Sequence, residues 1–421
     1  MGNPVFQAST GGGKAGLFYG YIIVAASFVI VALIWGTVQS FGVFLKPLTA
    51  EFGWMRSSTA SAISIFMVLV GLIYVLTGKL TDRFGPRVVI TICGLLFGLG
   101  NLLVSRIGAL WQLYLLYGVP ITLGTSGSFV PLASTIARWF VKRRGLMTGL
   151  ALAGIGAGTM VGPPVIDRLI ISYGWRNAYL IIGIATMILL ALSAQFLKRD
   201  PSVIGKLPLG ATGNDSAGLA QINSGLSLKE TARTRQFWTI CLVYLISGVG
   251  PWSVTVHIVP HATDLGTTSL AAVNILTFIG GLNIAGQIGG GNIADTIGSK
   301  WTLAINLALM SASLFWLQLS RELWMFYVFA IVFGFGWGGA TTMLSPIVAD
   351  FFGLSSHGAI LALVNFCWLT GGAIGAFATG YAFDLHGSYH LAYLGCAISI
   401  LLGTLLLLMV TPTARLKEIK A

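Results

Sequence analysis

Twelve long apolar runs, almost free of charge, leave this chain one class of fold. A helix that crosses a bilayer needs about 20 consecutive, mostly apolar residues. Runs of that kind cover 17–45, 57–78, 88–105, 108–136, 146–166, 177–197, 237–260, 268–290, 301–319, 324–348, 358–383 and 390–411. Inside lipid every backbone N–H and C=O must find a partner within the protein, so spanning segments are helices or closed barrels, and runs this long are helical. The predicted fold is an all-α polytopic membrane protein with twelve transmembrane helices. Only 9% of the residues are charged, where a soluble protein carries about 25%, which excludes an ordinary soluble enzyme. The first sixteen residues are Gly-rich with Lys14 as their one charge, and the uncharged run Leu17–Leu45 is too long for the apolar core of a cleaved signal peptide.

Charge then sets orientation. With the N-terminus in the cytoplasm, eighteen of the 24 Lys and Arg residues fall on the cytoplasmic side, as the positive-inside rule requires. The expected location is the cell (inner) membrane, with both termini cytoplasmic. The bias also explains the basic balance of the chain without a nucleic-acid partner. Residues 198–236 are polar, hold six basic residues and contain no spanning run. They divide the chain into a 1–16 tail, a 17–197 bundle of six helices, a cytoplasmic linker, a 237–411 bundle of six helices and a 412–421 tail. Cys93, Cys241, Cys367 and Cys396 all lie inside apolar runs, as small core residues without disulfide or metal spacing. No metal and no cofactor is expected.

The two bundles are related. Gly78-Lys79-Leu80-Thr81-Asp82-Arg83-Phe84-Gly85-Pro86-Arg87 recurs as Gly291-Asn292-Ile293-Ala294-Asp295-Thr296-Ile297-Gly298-Ser299-Lys300, an offset of 213. The same offset pairs Trp111 with Trp324, Gly145 with Gly358, Gly158 with Gly371, Gly162 with Gly375 and Gly174 with Gly387. Such an internal repeat predicts two pseudo-symmetric halves. The Gly78–Arg87 loop resembles the G-x-L-x-D-R-x-G-x-R motif of major facilitator transporters, whose parallel halves hold substrate near the midplane. Trp139–Gly154 is similar to the monocarboxylate transporter signature Y-F-x-K-R-R-x-L-A-x-G-L-A-x-A-G, matching ten of its twelve fixed positions and departing at Trp139 and Met147. Oxalate–formate antiporters share much of this stretch, and Gly-Trp-Arg at 174–176 and Val259–Gly266 resemble bacterial members of the group. The resemblance implies the major facilitator fold and alternating access, with Gly78, Asp82, Arg83, Gly85, Arg87, Asp295 and Arg138 as a gating motif. Without the family, Gly154, Gly156, Gly158 and Gly162, and Gly371, Gly372 and Gly375, read as small-residue faces where helices approach closely.

Chemistry is sparse inside the spans. Ionisable residues within a membrane are the first functional candidates. All twelve acids fall at helix ends or in loops on the ranges above, leaving His257 as the clearest titratable group in a span. Monocarboxylate transporters carry an Asp and an Arg four residues apart on helix 8. Aligning on the following loop puts Asn283 and Gln287 there, still on one helical face but neutral. The candidate substrate residues are therefore Gln287, Asn283, His257, Gln39, Asn365 and Lys46, with His257 the proton-coupling candidate and Trp337 and Trp368 as apolar walls. The predicted function is proton-coupled transport of a small organic acid, a monocarboxylate such as lactate or pyruvate, by a chain expected to be monomeric. The alternatives are exchange of oxalate- or formate-type anions, or carriage of a neutral small molecule, since the fixed charges are missing. An enzyme is not expected: buried acids, a metal cluster and a phosphate-binding G-x-x-x-x-G-K-[ST] loop are all lacking.

Overall fold

The need to pair every backbone group within lipid turns the apolar runs into helices. The computed structural model describes residues 18–140, 144–201, 209, 226–353 and 356–410; both tails, Lys142 and Arg143, and most of the 198–236 linker lie outside them. Eleven apolar stretches of the described residues are long enough to cross a membrane. They are α1 (Tyr19–Phe52), α2 (Arg56–Phe84), α3 (Pro86–Val104), α4 (Leu110–Ile136), the continuous Leu146–Gln195, then α7 (Arg235–Asp264), α8 (Ser269–Ile297), α9 (Ser299–Leu319), α10 (Leu323–Phe352), α11 (His357–His386) and α12 (His390–Met409). Leu146–Gln195 has 50 residues and would measure about 75 Å if straight, more than twice the ~30 Å hydrocarbon core. Gly174 breaks it, with φ 77° and ψ 161°, a conformation essentially restricted to glycine. The part before Gly174 is α5 and the part after it α6, which completes twelve crossings.

Several helices outrun their predicted ends. α1 continues past Leu45 to Phe52, α5 past residue 166 to Gly174, and α7 past residue 260 to Asp264. Lys46, Asp167 and Asp264 are thereby inside helices, where the apolar pattern alone places them at or beyond an end. A bend at Pro163–Pro164 is not what stops α5; the glycine ten residues later does.

The repeat is visible in backbone geometry. Gly85 closes α2 with φ 82° and ψ 158°, and Gly298 closes α8 with φ 86° and ψ 159°; Gly174 and Gly387 both have positive φ. Each pair is 213 residues apart. An alanine at 174 meets open space but keeps the positive φ. Gly174→Ala should therefore cost about 1–3 kcal/mol, read as a lower thermal midpoint of the purified protein with ligand affinity unchanged.

Each helix divides its surface between lipid and core. On α3, Val88, Ile92, Leu95, Leu99 and Leu103 form an exposed stripe at spacings of three and four, while Ile90, Cys93, Phe97 and Val104 are buried. With lipid as apolar as leucine, association depends on close packing, and glycines permit it. A Cβ on Gly162 would lie 2.5 Å from the Gly36 carbonyl oxygen of α1, and one on Gly154 2.5 Å from that of Phe28. The face bearing the α2–α3, α4–α5, α8–α9 and α10–α11 turns and the linker is called the linker side below, and the opposite face the far side.

Candidate functional site

Side chains from both halves enclose a central cavity of about 100 Å³. A single water needs some 10–15 Å³ on this measure, so the space holds a molecule of a few heavy atoms. Gln39 and Trp35 come from α1, Tyr74 from α2, Tyr244, Ser247 and Trp252 from α7, Asn283 and Gln287 from α8, Trp337 from α10, and Asn365 and Trp368 from α11. Four of the predicted substrate residues, Gln39, Asn283, Gln287 and Asn365, thus meet in one place. Asn283 and Gln287 form a coupled pair, the Gln287 Nε2 donating to Asn283 Oδ1 at 3.0 Å. None of the lining residues is charged.

The sequence offers Trp337 only as an apolar wall, and does not single out the other two donors here, Tyr244 and Trp252. The Tyr244 hydroxyl, Trp252 Nε1 and Trp337 Nε1 are buried and have no hydrogen-bond partner, as is the acceptor Gln39 Oε1. Buried N–H and O–H groups are nearly always paired, so three unpartnered donors on residues lining one cavity are candidate ligand contacts. In the sequence each is an aromatic residue in an apolar run, and core packing accounts for that pattern equally well.

His257 and Lys46 are not in the cavity wall, a correction to their expected place. His257 lies five residues beyond Trp252, some 7–8 Å further along α7, and is fully buried against α11. Its Nε2 is 2.9 Å from the Ala376 carbonyl oxygen and its Nδ1 3.4 Å from the Tyr389 hydroxyl. Lys46 instead joins a far-side cluster in which Asp264 of α7 takes both Lys46 (2.7 Å) and Arg56 (2.6 Å) from the other half. Arg56 also donates to the Tyr389 hydroxyl at 2.5 Å and lies 3.8 Å over the Phe383 ring. Asp384 of α11 accepts the backbone N–H groups of Arg56 and Ser57 at 3.0 and 2.8 Å, capping the start of α2 across the interface. Nearer the midplane, Ser64 donates to the Ala373 carbonyl at 2.7 Å. These bonds hold the far side shut.

The residues of the expected gating motif lie on the linker side. Gly85 makes the α2–α3 turn, Gly78 faces Val130 of α4, and Arg83 is exposed beside Phe84. Arg87 donates to Gln195 at 2.7 Å, and Arg138 is 3.9 Å from Asp200. The Asp82 and Asp295 side chains fall outside the described residues. Among the described residues no group of three His, Cys, Asp or Glu stands ready for a metal.

This architecture has relatives. The chain matches the Major Facilitator Superfamily over residues 24–291 and again over 240–421. It is 28% identical to monocarboxylate transporter 13 of Rattus norvegicus over 92% of this chain and 87% of that one. It is 26% identical to monocarboxylate transporter 12 of Mus musculus over 95% and 87%. Among solved structures, an inward-facing, unoccupied bacterial homologue of the human lysosomal transporter Spinster superposes with a TM-score of 0.68 at 16% identity, covering 94% of this chain and 96% of that one. Two repeated halves around a midplane cavity, with a sequence match along nearly the whole length, place the chain in the Major Facilitator Superfamily, as a transporter and not an enzyme.

Proposed function

We propose that this protein carries a small organic acid, of monocarboxylate size, across the cell membrane by alternating access, with a proton accompanying the acid. The linker side, richest in Lys and Arg, faces the cytoplasm, and the latched far side faces out. The observation that carries the reading is the set of three unpartnered donors on Tyr244, Trp252 and Trp337, on residues lining a cavity the size of a short acid. Carboxylate oxygens accept several such bonds and bare amides or alcohols fewer. The relatives named monocarboxylate transporters point the same way.

An anion with no cation beside it is expensive to dehydrate. A proton bound with the acid removes that cost, which is why proton coupling fits a neutral wall in place of a fixed arginine. The uncharged lining also favours a second reading, a ligand neutral in itself. A thermal-shift comparison separates the two. Short monocarboxylates should stabilise the purified protein, more at pH 5.5 than at pH 8, while their amides should not. Trp252→Phe, which keeps the ring and removes one N–H, should weaken acid binding about tenfold, the worth of one good hydrogen bond. Amides that bind as tightly as acids, with Trp252→Phe unaltered, would establish the neutral ligand.

A further inference from the structure

A second pocket, of about 140 Å³, lies on the far side within the second half, among the ends of α7, α9, α11 and α12. Several residues of its wall carry donors without a partner. Arg321, which follows α9, has no ion pair or hydrogen bond among the described residues. Tyr393 of α12 is 1% exposed and its hydroxyl is unpartnered, where a buried hydroxyl is nearly always bonded. His261 of α7 packs edge-on against Phe326, Tyr389 and Tyr393, and its ring nitrogens make no hydrogen bond among the described residues. The start of α12 belongs to the same wall. Tyr389 caps it without a side-chain bond, which leaves the positive end of a 20-residue helix there.

The one acid in this wall, Asp264, is already taken by Lys46 and Arg56. With Asp384, which holds the Arg56 backbone, two acids stand against the three cations Lys46, Arg56 and Arg321. We infer that the pocket is a second binding site, for a small carboxylate anion, with Arg321 as its counter-charge and the Tyr393 hydroxyl as a further donor. The two oxygens of a carboxylate accept several hydrogen bonds, and a guanidinium meets both at once. The volume admits an anion of a few heavy atoms. The central cavity has no charge in its wall and, on the transport reading, takes acid and proton together; this pocket takes the anion alone and does not depend on that reading. Lys46 and Arg56 belong to the other half and reach Asp264 with the far side shut. The pocket is therefore more positive in the closed state, so a bound anion and closure favour each other.

The probe is trifluoroacetate, an anion throughout the working pH range, followed by fluorine NMR on the full chain in an uncharged, phosphate-free detergent. Arg321→Gln should weaken its binding at least tenfold and Tyr393→Phe about fivefold, the worth of a charge-assisted and of a neutral hydrogen bond. Arg321 is exposed, so its replacement leaves the fold intact. Trp252→Phe, in the central cavity, should leave this site unaltered, and trifluoroacetamide, of the same size but uncharged, should not bind it. Equal binding of acid and amide, or an affinity indifferent to Arg321→Gln, overturns the assignment. So does tighter binding of glycerol phosphate, which would make the pocket a lipid-headgroup site. The coupling is read from spin labels at Trp111 and Leu319, exposed far-side ends of the two halves, in proteoliposomes and a background lacking the four cysteines. Trifluoroacetate should raise the closed population, and should not do so with Arg321→Gln. A population that ignores the anion overturns the coupling. Loss of this site leaves the Trp252-dependent binding standing, and a substrate-binding failure in the cavity leaves this site untouched.

Discussion

Replacing Asp264 by asparagine is expected to open the far side. One carboxylate there holds two cations from the other half, Lys46 at 2.7 Å and Arg56 at 2.6 Å, and the neutral amide leaves both uncompensated. Exposed pairs are worth at most about 1 kcal/mol, and breaking a buried pair costs about 3–5 kcal/mol. Asp264 is 29% exposed and Arg56 15%, which puts the loss near 2 kcal/mol and the fall in the closed-to-open ratio at roughly 30-fold. All of that energy belongs to the closed state, since the bonds join opposite halves. The Trp111–Leu319 distance should lengthen in a matching fraction of molecules while the thermal midpoint changes little. A variant that loses stability but keeps the wild-type distance distribution would make the cluster a fold element and not a latch.

The second large effect is steric. Gly156 of α5 and Gly280 of α8 pack backbone to backbone across the halves. A Cβ on Gly156 would lie 2.8 Å from the Gly280 carbonyl oxygen and 2.5 Å from Ile284 Cγ1; one on Gly280 would lie 2.6 Å from the Gly156 oxygen. Backbone cannot yield as a side chain does, so a larger residue must push the helices apart. Overpacking of this kind costs about 1–3 kcal/mol, and a branched side chain adds more. Gly280→Val is therefore expected to abolish turnover while the protein remains folded and inserted, because each half packs without that contact. The check is uptake into proteoliposomes together with the far-side distance: transport below a tenth of wild type, with the closed population depleted. Uptake at the wild-type rate would mean that this crossing stays fixed through the cycle.

Much of the scaffold was legible because the bilayer imposes it. Length and apolarity define the crossings, and the 213-residue offset became two pairs of positive-φ glycines at matching turns. Gln39, Asn283, Gln287 and Asn365 were found because a polar side chain in an apolar run has few places to go. What the pattern lacks is the helix end and the helix face. α5 runs seven residues beyond its last predicted residue, so Asp167 counted as an acid at a helix end and His257 was left as the buried titratable group. His257 and Asp264 are seven residues apart, about two turns of α7, yet one turns to α11 and the other to the opposite half. The latch joins residues 208 and 328 positions apart, a separation that no local spacing encodes. The Trp252 and Trp337 donors escape for another reason: an indole in a core and an indole facing a ligand have the same sequence, and only the unpartnered N–H tells them apart.

The central claim is that a short carboxylic acid crosses through the uncharged cavity between the halves. Counterflow tests it most directly: proteoliposomes loaded with an unlabelled monocarboxylate are diluted into a trace of the labelled acid, with and without a pH gradient. The predicted result is a transient accumulation of label, larger when the trans-membrane gradient supplies protons with the acid and at least tenfold weaker for Trp252→Phe at low substrate concentration. No accumulation of any short acid, alongside clear accumulation of its amide, would contradict it.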